Sequence, residues 1–148
     1  MNAKTRSLAA TVVLAVCVAV LFARHALIAA NPIGIALQVL AALLMLWARL
    51  TFGMRSFHAT ANPTAGGLVT SGPYRFWRHP IYAAVLLFMW TGILAHGVAP
   101  TLIDLALGAL ATGMTLVRVL AEEKLLRSAM PEYADYANRT KRFIPFVL

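Results

Sequence analysis

Four stretches of nearly continuous apolar residues dominate the chain and predict its helices. They cover roughly residues 8–30, 33–52, 80–96 and 98–119; the first is continuous to about Ala23, and its extension to Ala30 is open. A membrane-spanning helix needs roughly 20 apolar residues, and inside a bilayer a helix satisfies its own backbone hydrogen bonds. The pattern therefore predicts an all-α integral membrane protein with about four transmembrane helices. The third stretch is short, and it either spans at a tilt or forms a hairpin with the fourth.

Turn-forming residues separate the apolar stretches from one another. Asn31-Pro32 divides the first from the second, and His96-Gly97 with Pro100 divides the third from the fourth. Basic residues before the first stretch also fit a signal peptide, but no clear cleavage site follows, so we expect a retained helix. We expect residues 1–148 to form a single membrane domain with a polar C-terminal segment over 120–148.

Composition and charge support a membrane protein and predict its orientation. The chain is 61% hydrophobic and 12% charged, against roughly 45–50% and 25% in soluble domains. With four spans, all of the Lys and Arg residues except Arg24 lie on one side. The positive-inside rule places that side, with both termini and the loop over 53–80, in the cytoplasm. This arrangement accounts for the net charge of +8 without a nucleic-acid partner.

The single cysteine, Cys17, lies within the first apolar stretch. One cysteine excludes an intrachain disulfide and a cysteine metal cluster, and burial makes a thiol inert. We therefore predict a packing role for Cys17 and no metal site.

The stretch "TSGPYRFWRHPIY", residues 70–82, concentrates turn residues, aromatic rings and cations before the third helix. Gly72-Pro73 favours a tight turn, and Pro80 suits the first turn of a helix, which places His79 at the helix start. The aromatic rings are also typical of a membrane interface, where Arg75 and Arg78 would contact lipid headgroups. An anchor does not need the two proline turns, so we favour a binding site.

The second polar piece begins near the end of the fourth apolar stretch. Arg118 and Glu122 are four residues apart and therefore share a helix face. Glu123 and Arg127 have the same spacing, which we interpret as a solvated pair. "PEYADYANRTKRFIP" predicts a short amphipathic helix ended by Pro145, lying against the membrane or over the site.

These motifs together resemble the isoprenylcysteine carboxyl methyltransferase family. The resemblance rests on "GGLVTSGPYRFWRHPIY", "RVLAEEKLL", "PEYADY" and "RFIP", in that order, over roughly the last 85 residues. It implies an integral membrane enzyme that uses S-adenosylmethionine (AdoMet). It also implies a cytoplasmic cofactor site, built from the loop before the third helix and the C-terminal segment.

The resemblance also implies the residues of the site. Arg118 matches the arginine that faces the acceptor, and Glu122 matches the glutamate that contacts the cofactor; we assign the catalytic role to these two. The stretch "MPEY" is one residue shorter than in the family, which leaves the register open between Glu122 and Glu123. The full set implied to bind the cofactor is Gly66, Gly67, Leu68, Val69, Tyr74, His79, Pro80, Ile81, Tyr82 and Glu122.

The implied reaction is methyl transfer to a lipophilic acceptor, with the carboxylate of an isoprenylated cysteine as the accepting group. A carboxylate needs a cation to orient it and no general base, which suits Arg118. A phospholipid amine is an alternative and would need Glu122 or Glu123 as proton acceptor; a thiol acceptor is another. A non-enzymatic membrane subunit that binds lipid or a partner remains a third reading.

Overall fold

The computed structural model describes residues 3–53 and 67–143, and its regular structure there is helical. Within these residues, five α-helices and a short 3₁₀ turn, Gly72–Arg75, follow one another. One isolated bridge between Trp77 and Lys141 is the strand-like pairing in this part of the chain. The helices are α1 (Ala3–Ala23), α2 (Pro32–Phe52), α3 (Pro80–Ala95), α4 (Leu102–Ala129) and α5 (Tyr133–Arg139).

Local signals fix where the long helices begin and end. The Asn31 side chain accepts a hydrogen bond from the Gly34 backbone at 2.8 Å, and Pro32 occupies the first turn of α2. Thr101 and Asp104 form a reciprocal capping box at the start of α4. At the end of α1, His25 adopts a positive φ of 57°, a left-handed conformation that commonly terminates helices.

The four long helices form two antiparallel pairs that pack together. α1 packs along α4, and α2 packs along α3. Small residues allow the close approach: a side chain at Gly108 would press against Trp90 and Ile93 of α3. This close packing fixes the positions of the helix ends relative to one another.

Polar contacts tie the helices together at one end of the bundle. The Arg24 guanidinium donates from Nε to Asp104 Oδ1 at 2.6 Å and from Nη2 to Thr101 Oγ1 at 2.9 Å. Nearby, the Ala30 backbone N–H donates to the Ala95 carbonyl at 2.7 Å. This end therefore holds the end of α1, the start of α2, the end of α3 and the start of α4.

The helices α1, α2 and α4 are each long and apolar enough to cross a membrane. Their outward faces carry many exposed large apolar side chains, including Ile33, Leu50 and Leu102. An apolar surface of this extent indicates burial in lipid. The chain is therefore an integral membrane protein, as the sequence predicted. α3 has 16 residues, so a fourth crossing stays a prediction.

Two helix boundaries differ from those predicted. α1 ends at Ala23, so the extension of the first stretch to residue 30 is wrong. The chain over 24–31 returns towards the bundle without helical structure. The fourth helix continues ten residues beyond 119, to Ala129. Because of that extension, the predicted 120–148 segment begins inside a helix, and Glu122 and Glu123 have helical positions.

Candidate functional site

The site forms where the C-terminal segment meets the start of α3. The backbone N–H of Arg78 donates to the Lys141 carbonyl at 2.7 Å, and that of His79 donates to the Arg142 carbonyl at 3.2 Å. His79 is the residue just before α3, and its side chain makes no capping bond there. The buried imidazole is thus oriented by the surrounding side chains rather than by the helix end.

Two predicted motifs, about forty residues apart, meet at Glu122. The Tyr82 hydroxyl donates to Glu122 Oε1 at 2.5 Å, and Arg118 Nε lies 3.3 Å from the same oxygen. Arg118 Nε also donates to the Tyr82 hydroxyl. His79 Nδ1 lies 3.8 Å from Glu122 Oε2. We call Arg118, Glu122, Tyr82 and His79 the Glu122 cluster.

The side chains of Arg118 and His79 both lie against the aromatic ring of Tyr82. The Arg118 guanidinium lies 5.7 Å from the centroid of the Tyr82 ring, and the His79 ring lies 5.8 Å from the same ring. At these distances the face of Tyr82 attracts a cation. Tyr82 therefore interacts with Arg118 through both its hydroxyl and its ring.

The neighbouring residue, Glu123, forms a second and more enclosed cluster. Its carboxylate accepts from Arg78 Nε at 3.0 Å and from Arg142 Nη2 at 3.0 Å. His79 Nε2 lies 3.4 Å from it, without hydrogen-bond alignment. We call Glu123, Arg78 and Arg142 the Glu123 cluster. The predicted solvated pair with Arg127 is wrong, because Glu123 is buried and Arg127 lies over the Tyr133 ring.

The two carboxylates point in different directions because adjacent helix residues are about 100° apart around the axis. Glu122, four residues after Arg118, faces Arg118 and Tyr82. Glu123 faces Arg78 and Arg142. The imidazole of His79 lies between the two, with one ring nitrogen towards each carboxylate.

Helix α5 holds the loop before α3 in place. The Tyr136 hydroxyl donates to the Tyr74 carbonyl at 2.7 Å, and Leu68 packs against the buried Tyr133 and Tyr136. Burial raises the pKa of Tyr136 to about 12, so the phenol keeps the proton that it donates. The predicted amphipathic helix is thus present; Pro145, its predicted end, lies outside the described residues.

The remaining predicted site residues lie around these clusters rather than within them. Tyr74 packs against the Phe52 ring at 5.4 Å, with its own ring buried. Pro80 is buried and Ile81 half-buried in the first turn of α3. Gly67 is exposed with φ +76°, and Val69 is half-buried. Gly66 lies outside the described residues.

Sequence reasoning missed the contribution of the Glu123 cluster. It assigned Arg78 to lipid headgroups, whereas the Arg78 side chain is only 10% exposed and also donates to the carbonyls of Ala137 and Thr140. The available signal was the run Arg78-His79-Pro80, which places a cation next to a buried histidine. Arg75 and Phe76 remain exposed, as an interfacial position would require.

The chemistry of the Glu122 cluster fits AdoMet, which carries an ammonium, a carboxylate and ribose hydroxyls. The Glu122 side chain is about one-fifth exposed, so its carboxylate can accept from a hydroxyl or ammonium. His79 Nε2 is buried without an aligned hydrogen bond, which leaves a polar ring for a ligand to orient. In the described part of the chain, no three His, Cys, Asp or Glu residues are grouped as metal ligands.

Comparison with known proteins gives one family and two partial relatives. The model of the Isoprenylcysteine carboxyl methyltransferase (ICMT) family matches residues 33–128. The Cobalt-zinc-cadmium resistance protein CzcN of Cupriavidus metallidurans is 45% identical over 80 residues, 53% of this chain and 35% of that protein. The Nickel-cobalt-cadmium resistance protein NccN of Alcaligenes xylosoxydans xylosoxydans is 40% identical over 80 residues, 53% of this chain and 36% of that protein. The matches thus span about a third of these relatives, and no solved structure gave a significant match.

Proposed function

Because the chain belongs to the isoprenylcysteine carboxyl methyltransferase family, we propose that it transfers a methyl group from AdoMet to a lipophilic acceptor. The accepting group is the carboxylate of an isoprenylated cysteine. The observation that carries the proposal is the Glu122 cluster, in which the two motifs of the resemblance meet within hydrogen-bond and ion-pair distance. The family membership supplies the reaction class.

The cofactor would be held between the start of α3 and the C-terminal segment. Glu122 would accept from a cationic or hydroxyl group of the cofactor. His79 and nearby backbone N–H groups would hold its carboxylate, and the loop residues Gly67 to Val69 would line it. When bound, AdoMet supplies a methyl group on a sulfonium sulfur, which keeps the electron pair of the broken bond as a neutral thioether.

The acceptor carboxylate would lie against Arg118. Methyl transfer is an in-line displacement, so the protein contributes alignment and exclusion of water. The acceptor oxygen attacks with its own lone pair and no proton moves, so a general base is not required. Arg118 would orient one carboxylate oxygen and leave the other free to react. The contact of Arg118 with Thr11 on α1 places this cation at the edge of the bundle's apolar interior.

The proposed site faces the cytoplasm. The Glu122 cluster lies at the end of the bundle where the basic residues collect, and the positive-inside rule supports a cytoplasmic position for that end. A water-soluble cofactor would enter from this side, and an acceptor with an aliphatic tail would enter from the membrane.

The proposal is tested by cofactor binding and by acceptor choice. Calorimetry of the purified protein with AdoMet should show binding, and N-acetyl-S-farnesylcysteine should become methylated. Phosphatidylethanolamine in the same assay tests the amine acceptor. Methylation of phosphatidylethanolamine alone would replace the carboxylate assignment, and failure to bind AdoMet would refute the enzyme and favour a lipid-binding subunit.

A further inference from the structure

An apolar cleft of about 320 Å³ lies between α1, α2 and α3, below the Glu122 cluster. Val18 of α1, Ala41 of α2 and Val85 and Met89 of α3 line it, and its lining is apolar throughout. An apolar cavity of this size is in the range that binds small ligands. The walls provide no polar partner for water, so the cleft suits an apolar group such as a hydrocarbon tail.

The cleft opens towards lipid between α1 and α2. These two helices barely touch, because each packs on a different partner. Ala42, which lines the cleft, is also exposed on the surface of the bundle. A molecule dissolved in the bilayer can therefore reach the cleft sideways.

The cleft and the proposed reaction site lie along the same faces of α1 and α3. Val18 lies seven residues after Thr11 on α1, and Met89 lies seven residues after Tyr82 on α3, so each pair shares a helix face about 10 Å apart. Arg118 contacts both Thr11 and Tyr82. A tail attached to a carboxylate at Arg118 would run directly down these two faces.

Leu27, on the non-helical segment between α1 and α2, also lines the cleft. It lies beside Gly92, ten residues after Tyr82 on α3, and so on the side of the cleft away from Arg118. Gln38 holds this segment inside the bundle: its Nε2 donates to the Leu27 carbonyl at 2.6 Å, and its Oε1 accepts from the Ala29 N–H at 3.0 Å. On the other side, a side-chain carbon at Gly92 would lie 2.3 Å from the Leu27 carbonyl oxygen. Irregular backbone at membrane depth needs such internal partners, and here they hold Leu27 in place against the cleft.

We propose that Leu27 sets the maximum tail length of the acceptor. This inference rests on the proposed function, since the tail belongs to the molecule whose carboxylate is methylated at Arg118. The occupant is the aliphatic tail of that acceptor, because the cleft lies along the helix faces below Arg118 and has Leu27 on its far side. A bilayer lipid that only fills the cleft would need no fixed floor at Leu27, because that role does not depend on the length of its tail.

The test compares N-acetylcysteines that carry geranyl, farnesyl and geranylgeranyl tails, in wild type and in Leu27→Ala. Binding is measured without AdoMet, and methyl transfer is measured with it. Leu27→Ala deepens the cleft, so the affinity and kcat/KM for the longest tail should rise relative to farnesyl by about tenfold, the scale of a methylene-sized change in an apolar pocket. Leu27→Val, which disturbs packing less, should shift the ratio in the same direction by a smaller factor.

Leu21→Ala is the matched control. Leu21 belongs to the same buried core as Leu27 but does not line the cleft, so its loss should lower stability without changing the ratio between tails. Equal ratios in Leu27→Ala, Leu27→Val and Leu21→Ala, with methyl transfer intact, would refute the floor and leave the proposed function standing. A ratio that shifts in binding, without methyl transfer in any variant, would refute the proposed function and support the floor.

Discussion

At the scale of single residues, the guanidinium of Arg118 joins three helices. It contacts Thr11 on α1, Tyr82 on α3 and Glu122 on its own helix. A buried cation is retained near a membrane when it pairs or serves function. Pairing with Glu122 moderates its charge, which would suit the proposed role of Arg118 in holding an acceptor carboxylate without suppressing its reactivity.

Arg118→Ala should lower kcat/KM for the acceptor by about a hundredfold, the scale of a lost positioning contact, and leave much of the AdoMet affinity intact. The acceptor loses its orienting cation, whereas Glu122 and His79 remain. Methyl-transfer kinetics and AdoMet calorimetry on the same preparation measure both. Lys124→Ala, an exposed position on the same helix, is the control and should change neither. Loss of AdoMet binding with acceptor binding unchanged would reverse the assignment.

His79→Ala and Glu122→Gln should each weaken AdoMet binding. A hydrogen bond to a charged group contributes about 1.5–3 kcal/mol, so the Kd should rise by roughly 10-fold to 100-fold. Calorimetry measures this, and Glu132→Gln, exposed before α5, is the control. Wild-type affinity in both variants would remove the cofactor from this cluster.

At the scale of elements, residues 130–143, which follow α4 and include α5, cross the start of α3. We call this part of the chain the strap. Its backbone pairs with residues 76–79, and Arg142 reaches Glu123 on α4. The hydrogen bonds with Glu123 raise the pKa of Arg142, so this pair stays charged at any ordinary pH. The strap thus fixes the position of His79 through Arg78 and Glu123.

Glu123→Gln should loosen the strap and lower the free energy of unfolding. The expected loss is about 3 kcal/mol, the lower end for breaking a buried ion pair, because Arg142 remains two-fifths exposed. Thermal unfolding in detergent measures the stability, and hydrogen exchange over α5 locates the change. Glu132→Gln should leave both unchanged. If exchange increased throughout the bundle and not first in α5, Glu123 would support the whole core rather than the strap.

Hydropathy predicted the helices, and the family resemblance implied the grouping of His79 and Tyr82 with Arg118 and Glu122. The sequence also predicted a short helix after α4, but not the ion pairs of Glu123 that hold this part of the chain in place. Hydropathy locates α2 to within a residue, and the spacing of Arg118 and Glu122 places them on one helix face. The partners of Glu123 lie 45 and 19 residues away, and no local pattern encodes such distances. Hydropathy also does not distinguish a helical apolar run from one that is buried without helical structure, such as the residues around Leu27. The reason is that hydropathy reports burial and not backbone geometry.

At the scale of the whole molecule, the two ends of the bundle have different polar contacts. One end is closed by Arg24, Thr101 and Asp104, with short connections between helices. The other end carries the Glu122 and Glu123 clusters and the C-terminal segment. The asymmetry matches the distribution of basic residues, so the proposed site lies at the predicted cytoplasmic face.

Single-cysteine labelling tests that orientation and the crossing of α3 together. Replacing the buried Cys17 by Ala removes the one native thiol, after which cysteines are introduced one at a time at exposed Ser71, Val98 and Lys141. With a membrane-impermeant maleimide on intact cells, Val98→Cys should be labelled, and Ser71→Cys and Lys141→Cys should be labelled only after permeabilisation. Ser71→Cys and Val98→Cys with equal accessibility would mean that α3 does not cross. The opposite pattern would place the Glu122 cluster on the outer face, where AdoMet made in the cytoplasm could not reach it.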